Sequence, residues 1–183
     1  MDSSQILLLP GWQDAGPVHW QSHWERLHGF RRVQQHDWWW PRRGDWMMQL
    51  EDALGADGPP AVLVAHGLAC HLVAAWAGHS QHTQRVAAAL LVAPLDIERA
   101  DMPPQVLAWA PAQRRRLPFA STAVLSADDP FCTAQRSRTM AADWGSEVVD
   151  LGRAGHIDAD SGLGDWLAGL ALLHDLQRHA GLA

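Results

Sequence analysis

Apolar runs of strand length alternate along the chain with segments that have helical periodicity. We predict buried strands at 5–10, 61–65, 86–92, 121–125 and 147–151, with a shorter strand near 32–35. We predict helices from Pro17 to about 27, near 45–54, from the turn after the third strand to about 77, at 133–144 and from 164 to about 179. This repeated alternation is typical of an α/β protein with a mainly parallel sheet.

A parallel sheet needs helices on both of its faces, so we predict a three-layer architecture in one domain that spans residues 1–183. The segment 96–118 is the one long irregular insertion, with prolines at positions 103, 104, 111 and 118. It is too short to form a separate lid domain, but it can hang over a site at the edge of the sheet.

The composition narrows the function classes without naming one. The chain has 183 residues, a net charge of -6 and 48% apolar residues, values that are typical of a soluble globular protein. The negative charge argues against a nucleic-acid or anionic-membrane partner. The apolar run at 6–9 is too short for a signal peptide or a membrane span, and its length suits a buried first strand.

The cysteines and histidines offer no disulfide or metal pattern. Cys70 and Cys132 are the two cysteines, and they form neither a disulfide framework nor a zinc motif. Eleven histidines are present, but none stands in a His-Glu-x-x-His arrangement. We therefore expect reduced thiols in a cytoplasmic protein, with no metal or other cofactor.

The segment 61–70, Ala-Val-Leu-Val-Ala-His-Gly-Leu-Ala-Cys, is the most informative part of the chain. It predicts a buried strand, a sharp turn and the start of a helix, with the small residues Ala65 and Ala69 on either side of Gly67. Such a turn is typical of the nucleophile elbow of α/β-hydrolases, whose central serine attacks the substrate. Here Gly67 stands at the serine position, so the expected nucleophile is missing.

Residues that follow the other strands complete the candidate site, because ligands bind at the carboxyl ends of parallel strands. Asp129 follows the fifth predicted strand and His156 follows the last one, in the chain order of elbow, acid and histidine. The histidine would act as general base and acid, and the aspartate would hold its tautomer. We prefer Asp129 to Asp128 because the Asp-Pro pair directly ends the strand.

Backbone amides are candidates to stabilise a developing oxyanion. The loop 11–16 follows the first strand, and we predict that its amide at Gln13 forms an oxyanion hole with the amide of Leu68. Cys70 and Ser126 carry nucleophilic atoms as well. Cys70 lies one helical turn past the elbow and Ser126 lies beside the acid turn, so we interpret both as structural.

Tryptophans are the candidate groups for binding an apolar part of a ligand. We predict that Trp12, Trp39 and Trp40 line the substrate pocket, since aromatic residues in loops near a pocket can hold an acyl group. The competing interpretation of the run 38–40 is partial burial under the following helix.

These segments together resemble the small, lidless serine hydrolases grouped with YdeN and the retinoblastoma-binding serine hydrolases. The shared motifs are Gly-Trp and Gly-Pro-x-His-Trp-Gln within 11–21, Ala-His-x-Leu-x-Cys at 65–70, Asp-Asp-Pro-Phe-Cys at 128–132 and the segment 154–166. The resemblance covers nearly the whole chain. It implies an α/β-hydrolase fold, activity on ester-type acyl compounds and a triad at 67, 129 and 156. The chain departs from the family at Gly67, where serine is expected, and at Ala69, where glycine is usual.

Four explanations compete for Gly67: a natural pseudoenzyme, an engineered knock-out, a sequence error, or an enzyme in which His156 activates water directly. The second change at Ala69 favours natural divergence, because a knock-out would alter one residue only. Loss of the nucleophile in such a triad costs about 10⁶ in rate. We therefore predict an impaired hydrolase for a small-molecule acyl substrate, with a non-catalytic binding module as the alternative and a protein partner left open.

Overall fold

The computed structural model describes residues 5–182, and its strands form one parallel sheet. The strands are β1 (Ile6–Leu9), β2 (Arg31–Arg32), β3 (Ala61–His66), β4 (Val86–Val92), β5 (Ala120–Leu125) and β6 (Glu147–Asp150). Their order across the sheet is β2-β1-β3-β4-β5-β6, and every neighbouring pair is parallel. The predicted parallel sheet is confirmed, and the elbow segment forms its centre.

Helices cover both faces of this sheet. They are α1 (Trp20–His28), α2 (Arg43–Leu54), α3 (Leu68–His79), the short α4 (Pro104–Leu107), α5 (Ala134–Trp144) and α6 (Leu167–His179). Two single 3₁₀ turns lie at Thr83–Arg85 and Ala159–Ser161. Within the described residues, no helix combines the length and the apolar character that crossing a membrane requires.

The two faces of the sheet build two separate cores, because successive side chains of a strand point to opposite sides. Leu7 and Leu9 of β1 pack in the cluster that includes α2, α3 and α5, whereas Leu8 packs in the cluster that includes α1 and α6. Fully buried tryptophans fill both layers: Trp46, Trp76, Trp109 and Trp144 on the first side, Trp20 and Trp24 on the second. The predicted three layers are confirmed.

The structure differs from the predicted elements mainly at helix starts. Pro17 does not lie in the first turn of α1, because His19 caps that helix by accepting a hydrogen bond from the N–H of Gln21 at Nδ1. The last helix begins at Leu167 because Trp166 has a left-handed backbone with φ of 41°. The strand β2 has two residues and begins one position earlier than predicted.

The insertion 96–118 is fixed against the neighbouring layer. The indole of Trp109 is buried and donates to the carbonyl of Pro41 at 2.8 Å. The stretch before it places Met102, Pro103 and Val106 in the lining of a cavity at the carboxyl edge of the sheet. The prediction that this insertion hangs over the site is confirmed.

Candidate active site

A sharp turn joins β3 to α3 at Gly67. The backbone of Gly67 has φ of 57° and ψ of -118°, a combination that favours glycine because a side chain there is strained. Its N–H donates to the carbonyl of Val92 on β4 at 2.9 Å. The turn is therefore anchored to the centre of the sheet, and position 67 faces the cavity.

The turns after β5 and β6 bring Asp129 and His156 together. Nδ1 of His156 lies 2.9 Å from Oδ2 and 3.1 Å from Oδ1 of Asp129. The two side chains are 11% and 2% exposed, respectively, so solvent competes little with this contact. Because a carboxylate accepts hydrogen bonds, Nδ1 carries the ring proton of the neutral histidine and Nε2 presents a lone pair.

The lone pair of His156 faces the elbow. A Cβ placed on Gly67 would lie 3.4 Å from Nε2 and 3.8 Å from Cε1 of the His156 ring. The structure thus brings together the three positions that the sequence put in one site. Chemically, it presents a base in hydrogen-bond reach of a side chain that the glycine does not have.

Asp128 has a different task from Asp129. Its Oδ1 accepts hydrogen bonds from the N–H of Gly155 at 2.9 Å and from the hydroxyl of Ser126 at 3.0 Å. These bonds hold the pKa of the Asp128 carboxyl below its usual range. Asp128 therefore ties the turn of the acid to the turn that carries His156, one residue before the ring.

Two further histidines stand behind the His156 ring. His66 donates from Nε2 to the carbonyl of His156 at 3.0 Å, and its ring centre lies 4.8 Å from the ring centres of both His19 and His156. Burial lowers the pKa of His19 to about 4 and lowers that of His66 well below its usual range. Both rings are therefore neutral near pH 7.

The site opens into a cavity of about 330 Å³, at the small end of the range for ligand pockets. One wall is apolar and consists of Leu95, Met102, Pro103, Val106 and Phe131. The rest of the lining includes polar groups of the loops after β1 and β6, among them Asp14, His19, Asp158 and Asp160. A small ligand with an apolar part and a polar end matches this lining.

The predicted pairing of the Gln13 and Leu68 amides needs a correction at Gln13. Its N–H donates to the carbonyl of Trp38 at 3.0 Å, because Gln13 has a left-handed backbone that turns this group out of the cavity. By contrast, the N–H groups of Trp12 and Leu68 have no hydrogen-bond acceptor among residues 5–182. Gly11 lies against the elbow, where a Cβ would meet the Leu68 nitrogen at 3.4 Å. Trp12 and Leu68 thus offer two free amides beside Gly67.

The prediction that Trp39 and Trp40 line the pocket is wrong. Their side chains are 63% and 62% exposed and do not contribute to the cavity wall. The N–H groups of both residues donate to one carboxylate oxygen of Asp37, which fixes the turn with the rings outward. Trp12 does line the cavity, and its indole N–H donates to the carbonyl of Trp39 at 3.0 Å.

Neither cysteine belongs to this site. Cys70 is buried in α3, its thiol lies 3.5 Å from the carbonyl of Val92, and burial raises its pKa. Burial also raises the pKa of Cys132 to about 11. Among residues 5–182, no three histidine, cysteine, aspartate or glutamate side chains are grouped in a way that could hold a metal ion.

Sequence reasoning missed two features of the site. It gave His19 no role in the site, whereas this residue caps α1 and lines the cavity. It also chose the wrong amide in the loop after β1. The family-like motif at 11–21 contains both His19 and Trp12, but no local signal in it says which atoms face the cavity.

A parallel sheet with a sharp strand-to-helix turn, followed in the chain by an acid and a histidine at the same edge, defines the class of α/β-hydrolases. The chain belongs to the serine hydrolase family, whose profile, described as "Serine hydrolase", matches residues 6–175. No match was found among the curated proteins.

Solved structures with the same fold include a YdeN-like hydrolase and a YdeN protein. A putative YdeN-like hydrolase from Pectobacterium atrosepticum is similar with a TM-score of 0.85 and 28% identity, over 97% of this chain and 92% of that one. The ydeN gene product of B. subtilis has a TM-score of 0.74 and 18% identity, over 94% of this chain and 98% of that one. The resemblance to YdeN-like small serine hydrolases is confirmed.

An esterase shares the fold at lower identity. The apo form of Thermogutta terrifontis esterase 2 has a TM-score of 0.69 and 16% identity, over 99% of this chain and 85% of that one. At this identity the likeness establishes the architecture alone. Membership of the serine hydrolase family and the likeness to the YdeN-like hydrolase support a hydrolase function for this chain.

Proposed function

We propose that this protein binds small ester-type acyl compounds in the cavity beside His156 and is impaired as a hydrolase because Gly67 supplies no nucleophile. In a serine hydrolase the elbow hydroxyl attacks the acyl carbon, and the histidine accepts its proton. Asp129 and His156 retain the contact that this proton transfer needs. The impairment therefore lies only in the missing serine side chain at the elbow.

The observation that carries the proposal is the contact between position 67 and the base. A Cβ on Gly67 would lie 3.4 Å from Nε2 of His156, with Leu95 as the next side chain at 3.9 Å. A serine there would carry its hydroxyl one bond from that Cβ, whose nearest heavy atoms are side-chain atoms of His156 and Leu95. The site is thus shaped for a serine that the chain lacks.

The walls of the cavity favour an acyl compound as the ligand. The free amides of Trp12 and Leu68 are donors for a carbonyl oxygen, and they strengthen as that oxygen gains charge. The apolar wall at Met102, Val106 and Phe131 suits a short acyl chain. The volume of about 330 Å³ excludes a long chain in an enclosed position.

The intact cavity also supports the alternative of a binding module. Neither the pocket nor the Asp129–His156 pair has collapsed onto the elbow. A protein that used this pocket to hold a ligand without turnover would keep the same walls and would gain nothing from a serine.

Restoring the serine tests the proposal. We expect Gly67→Ser to raise hydrolysis of p-nitrophenyl acetate and butyrate by about 10³-fold or more, since the lost nucleophile accounts for most of such a rate. A fluorophosphonate probe should label this variant and not the glycine protein. Gly67→Ala is the matched control, because it adds the same Cβ without an oxygen and should gain neither hydrolysis nor labelling.

The outcomes separate the two candidate functions. Activity of Gly67→Ser that disappears on His156→Ala supports the impaired hydrolase. A folded Gly67→Ser protein that neither turns over these esters nor reacts with the probe contradicts it and favours the binding module.

A further inference from the structure

We propose that the glycine protein itself transfers acyl groups directly to a small nucleophile, such as water or hydroxylamine, that binds beside Gly67 and is deprotonated by His156. This is a single displacement without an acyl-protein intermediate, unlike the two-step reaction of a serine enzyme. The inference rests on the proposed function, because it requires an ester in the same cavity.

Gly67 and His156 line the same cavity, so a small nucleophile in it can lie against both residues. The nearest heavy atoms to a Cβ placed on Gly67 are Nε2 and Cε1 of His156 at 3.4 and 3.8 Å, and Cγ of Leu95 at 3.9 Å. These are ordinary van der Waals distances for an atom bonded to the Gly67 Cα. An unattached oxygen or nitrogen must also stay at van der Waals distance from that Cα, so it lies further out in the cavity, where it can approach Nε2 to hydrogen-bond distance.

The ring that faces this space is held as a base. The contacts of Nδ1 with both oxygens of Asp129, at 2.9 and 3.1 Å, leave the lone pair on Nε2. The rings of His66 and Phe131 flank it with centres 4.8 Å away, which limits rotation. His156 therefore keeps both its tautomer and its orientation without a serine to donate to it.

Two backbone N–H groups determine where the acyl carbon of the ester lies. The N–H of Leu68 begins α3, where the helix N-terminus favours a negative charge, and it has no acceptor among the described residues. The free N–H of Trp12 follows Gly11, which packs against the elbow backbone. Because Trp12 and Leu68 line the same cavity as Gly67 and His156, a carbonyl oxygen bound to these two amides keeps the acyl carbon near the base.

The proposed step balances without any further reagent. The lone pair of the nucleophile forms a bond to the acyl carbon, its proton passes to Nε2 of His156, and the carbonyl electrons move onto the oxygen held by the amides. The intermediate then collapses, the bond to the alcohol oxygen breaks, and Nε2 returns the proton to that oxygen. Water yields the acid and the alcohol, whereas hydroxylamine yields the hydroxamic acid and the alcohol.

Hydroxylamine serves as the test nucleophile with p-nitrophenyl acetate as the ester. We expect the protein-dependent rate to rise linearly with hydroxylamine, after subtraction of the reaction without protein, and acetohydroxamic acid to form in step with nitrophenol. His156→Ala should lower this rate by about 100-fold, the usual effect of removing a general base. Mass spectrometry after acid quench should find no acyl-protein.

Gly67→Ala is the matched control, because its methyl group lies 3.4 Å from Nε2 of His156 and obstructs the approach of the nucleophile, while the acid–base pair stays. We expect it to lose at least nine-tenths of the hydroxylamine-dependent rate, with circular dichroism to show that it folds. Should it not fold, the His156→Ala comparison decides alone. A glycine protein with no hydroxylamine-dependent rate overturns this inference. If Gly67→Ser is then active the proposed function survives, and if it is inactive both fail.

Discussion

Nε2 of His66 donates a hydrogen bond to the backbone carbonyl of His156 across 3.0 Å. The bond joins the residue directly before the elbow to the residue that carries the base, although the two are 90 positions apart in the chain. Burial keeps His66 neutral by lowering its pKa, so Nε2 retains its proton as a donor while the other ring nitrogen is unprotonated. His66 is therefore a positioning residue for the His156 backbone.

Removing this donor should slow the restored enzyme. In the Gly67→Ser background, we expect His66→Phe to lower kcat by about 10- to 100-fold with a smaller change in KM, because small misplacements of a catalytic group are costly. His66→Gln keeps an N–H donor and should recover part of kcat. Steady-state kinetics measures both. An unchanged kcat in a folded His66→Phe protein would show that the bond has no part in positioning.

The two neighbouring aspartates should respond differently to loss of charge. In the same background, Asp129→Asn should lower kcat by about 10⁴-fold, since an amide favours the wrong tautomer of His156. Asp128→Asn keeps an oxygen for the N–H of Gly155 and should cost about 10-fold or less. Comparing kcat of the two variants checks the assignment, and a larger loss for Asp128→Asn would reverse it.

Gly11 should be intolerant of a side chain. A Cβ at Gly11 would lie 2.8 Å from the carbonyl oxygen of His66, and backbone cannot yield as a side chain can. We expect Gly11→Ala to lower the free energy of unfolding by about 1–3 kcal/mol, the range for overpacking. Gly16→Ala is the control, since nothing lies within 4 Å of its Cβ position. Urea unfolding measures both, and equal stabilities would contradict the close approach.

Buried histidines should make the protein less stable in mild acid. Burial lowers the pKa of His19 and of His71 from 6.5 to about 4, and lowers that of His66 as well. Between these values the unfolded chain binds more protons than the folded one, so the free energy of unfolding falls as pH drops from 6.5 towards 4. Each group contributes a slope of up to about 1.4 kcal/mol per pH unit.

Urea midpoints between pH 7 and 4.5 measure this dependence. His71→Gln removes one of the three titrating groups and keeps a donor for the Leu95 carbonyl, which His71 contacts at 2.7 Å. The free energy of unfolding should depend less steeply on pH in the variant, by the contribution of one histidine. A slope that stays the same would mean that His71 is already protonated or accessible in the folded protein.

Most of the fold could be predicted from the sequence, because the patterns that indicate strands and helices are local. The apolar runs at 61–65 and 86–92 mark the central strands almost to the residue. Helix starts were less accurate, since they depend on single contacts: His19 caps α1 through its ring, and the left-handed backbone of Trp166 delays α6. Such contacts leave no periodic pattern in the chain.

The sequence likewise predicted some residues of the candidate site and missed others. Position 67, Asp129 and His156 could be placed from the chain order, because strand ends of a parallel sheet meet at one edge. The free amide of Trp12 and the outward rings of Trp39 and Trp40 could not, because the backbone angle at Gln13 and the turn at Asp37 decide them.

The sequence by itself determined that this is an α/β-hydrolase of the serine hydrolase family with glycine at the elbow. Only the tertiary structure decided that the base remains poised over that glycine, 3.4 Å from where a Cβ would lie. The reason is physical: residue types are written in the chain, whereas distances between turns that are 90 positions apart depend on packing and on bonds such as that of His66 with His156.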